Sequence, residues 1–532
     1  MLKRFPSFMP DQNVIGAIDI GSNAIRMICA RLTEDYRIEE LEKNRTPIRL
    51  GEDVFRMGYI TEERIEQLLA TIKVYQKTLE QNNCKEICAY CTSAFRESGN
   101  RQTVIERVEM ETGIQLESIS GGEEAQLLQR AVQRVMDLSK GRLMLADLGG
   151  GSLEVTLLEE GEIEFAESFR MGTVRMLKMF PYHPEREKAF LNWADYYVED
   201  FIDFLKKRLG KPRVETLVIT GGNATAIGRF SGKTDRDAPG FSQGRMILDK
   251  QRFSKFKRSV IKLNLNERIR DLEMEEDRAD VILPALVIFE KLLKFTGCSG
   301  FVIPAVGLRD GILDEMRERQ GNLPDWNTRE QVIHSARYYA EKYLADMQHA
   351  ETVRELSLQL FDELFELHEL QSRDRLLLEV AALLHDIGRF IRPSDHAKHA
   401  MYLIRNMELV GVTNSELMMI ALVARYHSGG MPSVKQKEFS RLDSEKRTTV
   451  TRLTALLRIG DALDREHRAR AGNLSIEFDK DQVWLNLECL SGKSPDSMLA
   501  LWALNHKKEL FEKVFRRTLN ADFGDGDGSS GN

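Results

Sequence analysis

From Asn13 to Leu32 the chain reads NVIGAIDIGSNAIRMICARL, an apolar, β-branched run broken by Gly-Ser-Asn and then resumed. That pattern predicts two strands joined by a tight turn. ERIEQLLATIKVYQKTLEQ then repeats apolar residues at helical spacing, and EICAYCTSAFR returns to a strand pattern. The same order recurs in RLMLADLGGGSLEVTLLEEGEIEFAESFRMG, where a strand, a glycine turn and a second strand are followed by a Glu-Gly reversal and a third strand. Further on, TLVITGGNATAIGRF supplies another strand and glycine turn, VILPALVIFEKLLKF an amphipathic helix, and GFVIPAVGLRDGILDEM a last strand.

The repeated strand, glycine turn and strand predict two similar α/β lobes facing a common cleft, residues 1–135 and 136–325. From Arg329 to Asp464 the pattern turns almost wholly helical and holds most of the ten histidines. The boundary falls in QGNLPDWNT, giving a helical domain over 326–470. NLSIEFDKDQVWLNLE reads as a hairpin turning at Asp479 to Asp481 and HKKELFEKVFRRTL as a helix. Together they predict a small α+β segment over 471–520, and ADFGDGDGSSGN a disordered tail, 521–532.

With 532 residues, 42% hydrophobic and 30% charged, the chain has the composition of a globular protein of several domains. A net charge of -7 gives no general reason to expect a nucleic-acid partner, and a polyanionic ligand would need local positive groups. Six cysteines are too few for a disulfide framework, and no secretory leader is visible, which together predict a cytoplasmic protein. No run approaches the roughly 18 apolar residues of a membrane span, so no integral membrane association is expected.

Two loops can carry chemistry. In Asp19-Ile20-Gly21-Ser22-Asn23 the glycine permits close approach of backbone N–H groups, and the Ser22 hydroxyl, to a phosphate. Asp147-Leu148-Gly149-Gly150-Gly151-Ser152 repeats those elements and is followed by Glu154 on the outgoing strand. Either loop alone is equally an ordinary hairpin turn. As a pair, each opening on an aspartate, they predict a metal-phosphate ligand, because a carboxylate beside bound phosphates makes chemical sense with Mg2+ between them. Cys84, Cys88 and Cys91 match an iron–sulfur spacing on paper, but the run passes from a helix end into a strand, which argues against a cluster.

AIDIGSNAIRM, TSAFRES, ISGGEEAQLL, ADLGGGSLEV and TGGNATAIGRF stand in one order along residues 14–314. In this they resemble the exopolyphosphatase and guanosine pentaphosphatase (Ppx/GppA) family. The resemblance implies a two-lobed, actin-like (ribonuclease H-like) ATPase fold that closes on a chain of phosphates. It implies Glu124 as the catalytic carboxylate, accepting a proton from attacking water, with Glu123 in reserve. Asp147 and Glu154 match the acidic metal positions, and Asp19 sits in the first loop with Ser22 and Asn23. Arg26 and Arg96 match the phosphate-facing arginines, Arg96 also in the catalytic set. Gly21, Gly149, Gly150, Gly151, Ser152, Gly221 and Gly222 match the phosphate-binding loops. Two positions depart from the pattern: Asn223-Ala224 stand before Thr225 where a threonine more often follows the glycine pair directly, and Leu153 stands where a small hydroxyl residue is usual.

LLEVAALLHDIGRFI places His385-Asp386 on an apolar helix, where burying two polar side chains needs a reason such as metal coordination. With His349, His399, His427 and Asp461 the pattern resembles an HD-type metal domain, implying a second divalent ion, Mn or Fe. His396 could assist that site, while His334, His368 and His467 read as partly exposed helix residues without a role.

The leading function is therefore release of terminal orthophosphate from inorganic polyphosphate, with 5'-dephosphorylation of guanosine pentaphosphate as the close alternative. An actin-like kinase and a polyphosphate or alarmone sensor signalling through the helical domain are the competing classes. Long family members are commonly homodimers, which makes a homodimer the expected assembly.

Overall fold

The computed structural model describes residues 13–33, 36–180, 184–234, 245–321, 329–407, 409, 411–465, 467, 471–489 and 496–524. The chain divides into two compact units, Met1–Trp326 and Asn327–Asn532. The QGNLPDWNT boundary predicted from sequence lies largely outside the described residues.

The first unit holds two sheets. One contains β1 (Asn13–Ile20), β2 (Ala24–Leu32), β3 (Ile38–Pro47), β4 (Glu86–Cys91) and β5 (Leu116–Ser118) in the order β3-β2-β1-β4-β5. The other contains β6 (Arg142–Leu148), β7 (Leu153–Glu159), β8 (Glu162–Phe169), β9 (Thr216–Thr220), β10 (Lys233–Thr234), β11 (Met246–Asp249) and β12 (Gly300–Ile303), in the order β10-β11-β12-β9-β6-β7-β8. In both, an antiparallel meander of three strands is joined through its first strand to a parallel neighbour, β1 to β4 and β6 to β9. This duplicated topology is the two-lobed, actin-like arrangement.

β1 and β2 read as near-continuous apolar runs because both faces of their sheet are covered. One face packs Ile18, Ile20 and Met27 against Leu68, Ile72 and Val104. The other packs Ile15, Ala17, Ile28 and Ala30 against Leu308, Ile312, Leu313 and Met316. Those last four residues lie on helix Leu308–Gly321. A helix inside the segment assigned by sequence to the second lobe, 136–325, thus covers the sheet of the first. The physical reason is that the apolar stripe of this helix fits the face of β1 and β2 left bare by the other helices.

Helix Ile282–Thr296, expected to be amphipathic, is buried without a break from Ile282 to Phe289. A helix apolar all round belongs inside a large core rather than on its surface.

In the second unit, helices Met347–Glu363, Ser372–Leu384, His396–Arg405, Asn414–Tyr426 and Ser444–Leu463 surround one apolar core. The segment 471–520 is no appendix: Leu474, Val483, Leu485, Leu504, Phe511 and Leu519 belong to that same core. Its hairpin is β13 (Ala471–Phe478) and β14 (Gln482–Cys489), and β15 (Thr518–Gly524) lies parallel to β14. Ala521 to Gly524, expected in the disordered tail, pair with Leu485 to Glu488 because β14 offers them an open edge. The rest of the predicted tail, 525–532, lies outside the described residues.

Candidate functional site

A cleft of 480 Å³ opens in the first unit, lined by both glycine loops, by Glu124 and by the Gly221-Gly222 turn. Each loop closes tightly: Gly21 N donates to Ala24 O at 3.1 Å, and Gly149 N to Ser152 O at 3.0 Å. Ser22 Oγ lies 2.8 Å from Ser93 Oγ, tying the first loop to the strand end after β4. A side chain at Gly151 would strike Ser93 Oγ, Phe55 and Ser22 Oγ. The bare glycine lets one loop lie on the other, and it does not line the cleft as Gly149, Gly150 and Ser152 do.

The duplicated hairpins carry different charge pairs at the same place. On β1 and β2 Asp19 stands opposite Arg26, whose Nη1 donates to Asp19 Oδ2 at 2.8 Å. On β6 and β7 Asp147 stands opposite Glu154, two acids with no cation between them. Like charges directly opposite on antiparallel strands are destabilising, so this second pair needs a partner. Glu124 joins them: ligand atoms of Glu124, Asp147 and Glu154 lie within 4.8 Å of one another. Glu124 Oε2 and Glu154 Oε2 are buried and accept no hydrogen bond.

Burial, and then Glu154, push Glu124 well above the usual carboxylate range against the pull of Arg96. Burial and Asp147 raise Glu154 to about 8, and burial raises Asp147 to about 6 against Thr220 and Arg26. A hard divalent cation on Asp147 and Glu154 would fit this group, satisfying the orphaned Glu154 oxygen and relieving the repulsion that keeps Glu124 protonated. Asp19, expected as a further ligand, lines the cleft but is held by Arg26 and stands outside this trio.

The two glutamates separate cleanly. Glu123 closes a capping box at the start of helix Gly121–Gln133, accepting from Ser120 N at 2.7 Å while Ser120 Oγ accepts from Glu123 N at 3.1 Å. Glu123 does not line the cleft, and Glu124 does. Arg96 is also behind the cleft wall: its Nη1 donates to Ile119 O at 2.8 Å and lies 3.5 Å from Glu124 Oε2. Its geometry is that of a residue positioning Glu124, not one facing a phosphate.

Several residues have no place in the sequence prediction. Thr220 Oγ1 donates to Asp147 Oδ1 at 2.8 Å and Ser168 Oγ to Glu154 Oε1 at 2.8 Å, supplying hydroxyls that Leu153, itself buried, cannot. Lys43, Arg45, Arg229, Arg278 and Arg309 line the cleft together with Glu273, Glu275 and Asp310, with Arg45 and Arg278 both paired to Glu275. A strand alternation could have flagged Thr220; the basic residues come from four separate stretches, Lys43 and Arg45 sharing β3, and leave no local signal. Gly221, at φ 95, caps helix Gly222–Ser231, whose first turn faces the cleft. A helix N-terminus offers free N–H groups to an anion.

The Ppx/GppA phosphatase family model matches residues 29–320, and the model of domain III of the Ppx/GppA phosphatases matches residues 332–508. The chain belongs to the Ppx/GppA phosphatase family. Exopolyphosphatase 1 of Mycobacterium tuberculosis is 26% identical over 312 residues, covering 56% of this chain and 87% of that protein. The guanosine-5'-triphosphate,3'-diphosphate pyrophosphatase of Vibrio vulnificus is 25% identical over 483 residues, 88% of this chain and 92% of that protein. Among solved structures, an exopolyphosphatase from Cytophaga hutchinsonii is 26% identical with a TM-score of 0.53, covering 58% of this chain and 98% of that one.

In the part of this Ppx/GppA member matched by domain III, His349, His385, Asp386, His427 and Asp461 are all buried and close together. The fourth histidine of the cluster is His396; His399, one helical turn along, is not among the converging groups. His368 is buried too, contrary to expectation, with Nε2 2.6 Å from Phe361 O and Nδ1 accepting from Leu370 N: a satisfied core histidine. Strand geometry separates two of the three cysteines whose spacing matches an iron–sulfur site on paper. Cys88 and Cys91, three apart on β4, face opposite cores, Cys88 beside Arg319 and Cys91 among the residues around Ile72.

Proposed function

We propose that this chain releases terminal orthophosphate from inorganic polyphosphate by Mg2+-assisted attack of water, with Glu124 as general base. The observation that carries this reading is the trio Glu124, Asp147 and Glu154, with two buried carboxylate oxygens lacking a donor, facing two glycine loops. Asp147 and Glu154 would hold Mg2+, with Asp19 at the rim. When bound, the ion neutralises phosphate oxygens and the charge that develops in transfer.

The chain's own groups do the rest. N–H groups of Ser22 and Asn23, of Gly150 and Ser152, and of the helix after Gly221 and Gly222 hold phosphate oxygens and keep the terminal phosphoryl in line, while the N–H groups of Gly21 and Gly149 close the loops themselves. Arg26, held by Asp19, faces the same cleft. Glu124 takes a proton on Oε2 as water oxygen attacks phosphorus, and the anhydride P–O bond to the shortened chain breaks.

We set the polymer before guanosine pentaphosphate because Lys43, Arg45, Arg229, Arg278 and Arg309 line the cleft, where further phosphates would compete with Glu273, Glu275 and Asp310 for them. The alternative draws support from the Vibrio relative, which spans most of the chain. Orthophosphate release with Mg2+ from long polyphosphate, short polyphosphate, guanosine pentaphosphate and ATP tests both; no release from any of them would leave a sensor. The second unit we read as an HD-type domain holding one divalent ion, Mn or Fe, at His349, His385, Asp386 and Asp461. We extend the proposal to a cytoplasmic protein without a nucleic-acid partner and to the homodimer that the resemblance to long family members implies. Among the described residues no helix is long and apolar enough to cross a membrane.

A further inference from the structure

The four clustered histidines of the second unit share one arrangement. His385 Nδ1 lies 2.7 Å from Ala382 O, His427 Nδ1 2.6 Å from Ala424 O, and His396 Nδ1 3.1 Å from Pro393 O. A carbonyl oxygen only accepts, so each of these Nδ1 atoms carries the proton, and each neutral ring turns a bare Nε2 lone pair inward. His349 Nδ1 is fixed in the same sense by Asp464 Oδ2 at 2.8 Å. Such outer hydrogen bonds are the usual means of orienting an imidazole toward a metal.

The lone pairs then meet in twos. His349 Nε2 and His385 Nε2 are 3.3 Å apart, and His396 Nε2 and His427 Nε2 3.2 Å apart. Two acceptors at that distance repel unless a proton or a cation lies between them. Imidazole nitrogens about 2.0–2.1 Å from one ion at a tetrahedral angle stand about 3.3–3.4 Å apart. Both observed separations are close to that spacing.

Asp386 sits between the two pairs. Its Oδ1 is 3.2 Å from His396 Nε2 and 3.6 Å from His427 Nε2, yet it is buried and accepts no hydrogen bond. Its Oδ2, held by Arg389 Nε at 2.6 Å, is 3.9 Å from His385 Nε2. Asp461 completes the first pair: Oδ1 lies 3.5 Å from His349 Nε2 and 3.8 Å from His385 Nε2, while Lys507 Nζ bonds Oδ2 and leaves Oδ1 free to coordinate.

We infer that this is a two-metal centre: one ion on His349, His385 and Asp461, a second on His396 and His427, and Asp386 bridging them through its two oxygens. It rests on the reading of the second unit as metal-binding and deepens it from one ion to two. Four imidazoles and two carboxylates suit first-row divalent transition ions over Mg2+.

The test loads Mn2+ alone into chelator-stripped, full-length protein on an Asp147→Asn background, which removes the cleft's own hold on the ion. Retained metal is counted after dialysis, with electron paramagnetic resonance on the same samples. The expected result is two Mn2+ per chain with an exchange-coupled spectrum. His396→Gln should retain one, with the six-line spectrum of an isolated ion, and His399→Ala should retain two. His396 is partly exposed and its glutamine variant the least disruptive; circular dichroism confirms its fold. One ion per chain, unchanged in His396→Gln, would overturn the two-metal inference and leave the one-ion reading standing. No retained ion in any sample would overturn both and show a cluster held together by protons.

Discussion

Arg96 Nη1 donates to the carbonyl of Ile119 at 2.8 Å and stands 3.5 Å from Glu124 Oε2, so the backbone before helix Gly121–Gln133 anchors the charge that faces the proposed base. Arg96 is one of the groups that lower the proton affinity of Glu124 against burial and Glu154. Removing it should raise that affinity further. A general base works only above its own pKa, so Arg96→Ala should move the acidic limb of the rate profile to higher pH and lower the rate at neutral pH. Arg96→Lys should recover part of both. An acidic limb that stays in place in Arg96→Ala would show that the arginine merely braces the loop.

Glu124→Gln keeps size and hydrogen bonding but removes basicity, and should cost about 100-fold to 10,000-fold in turnover while leaving the fold intact. Glu123→Ala should do the reverse, lowering stability by about 1 kcal/mol through the lost capping box while most turnover remains. Denaturant titration and orthophosphate release on both variants separate the roles. Equal turnover losses would return Glu123 to the site.

Asp147→Asn takes one acid from a pair that stands face to face with Glu154, without touching the glycine backbone. More Mg2+ should then be needed for half-maximal rate, with little change in melting temperature. A Mg2+ titration that overlays the wild type would place the ion elsewhere.

Gly221 has φ 95, and a Cβ there would meet Leu148 O at 2.4 Å. Gly221→Ala therefore combines strain of about 1–3 kcal/mol, in an extended positive-φ region essentially restricted to glycine, with a backbone clash. Stability should fall by at least that amount and phosphate binding with it, measurable by urea unfolding and by protection with pyrophosphate. An alanine variant with full stability and rate would contradict the turn geometry.

Arg278 lines the cleft beside Gly222, and burial lowers its guanidinium to about 10, which still leaves it charged at neutral pH. A hydrogen bond to a charged group contributes about 1.5–3 kcal/mol, so Arg278→Ala should raise KM for long polyphosphate roughly tenfold to a hundredfold. KM for a substrate with a single triphosphate should change less. Equal changes for both would remove the case for a polymer track.

Much of the cleft is legible in the residues because its loops are local. Gly-Ser-Asn after β1 and Gly-Gly-Gly-Ser after β6 bend the chain where they stand, and the repeated meander follows from the repeated pattern. Ser120 and Glu123 also spell a capping box in sequence, a local signal that distinguishes the two glutamates. The basic residues of the cleft were hidden because β3, which carries Lys43 and Arg45, is far along the chain from Arg229, Arg278 and Arg309.

What the chain by itself determined is what short-range chemistry enforces: strand against helix, glycine turns, the inventory of acids and histidines, and the change to a helical pattern near Arg329. What only tertiary structure decided is which of these meet. Helix Leu308–Gly321 could cover either lobe until its apolar stripe found the bare face of β1 and β2. His396 and His399 lie one turn apart, so the same helix offers both toward one side, and only the packing of that helix decides that His396 reaches Asp386. Asp19 and Asp147 hold equivalent places in a repeated hairpin, yet one faces Arg26 and the other Glu154. The charge across each strand pair, added to by Glu124 from a distant helix, makes one a closed ion pair and the other a place for a cation.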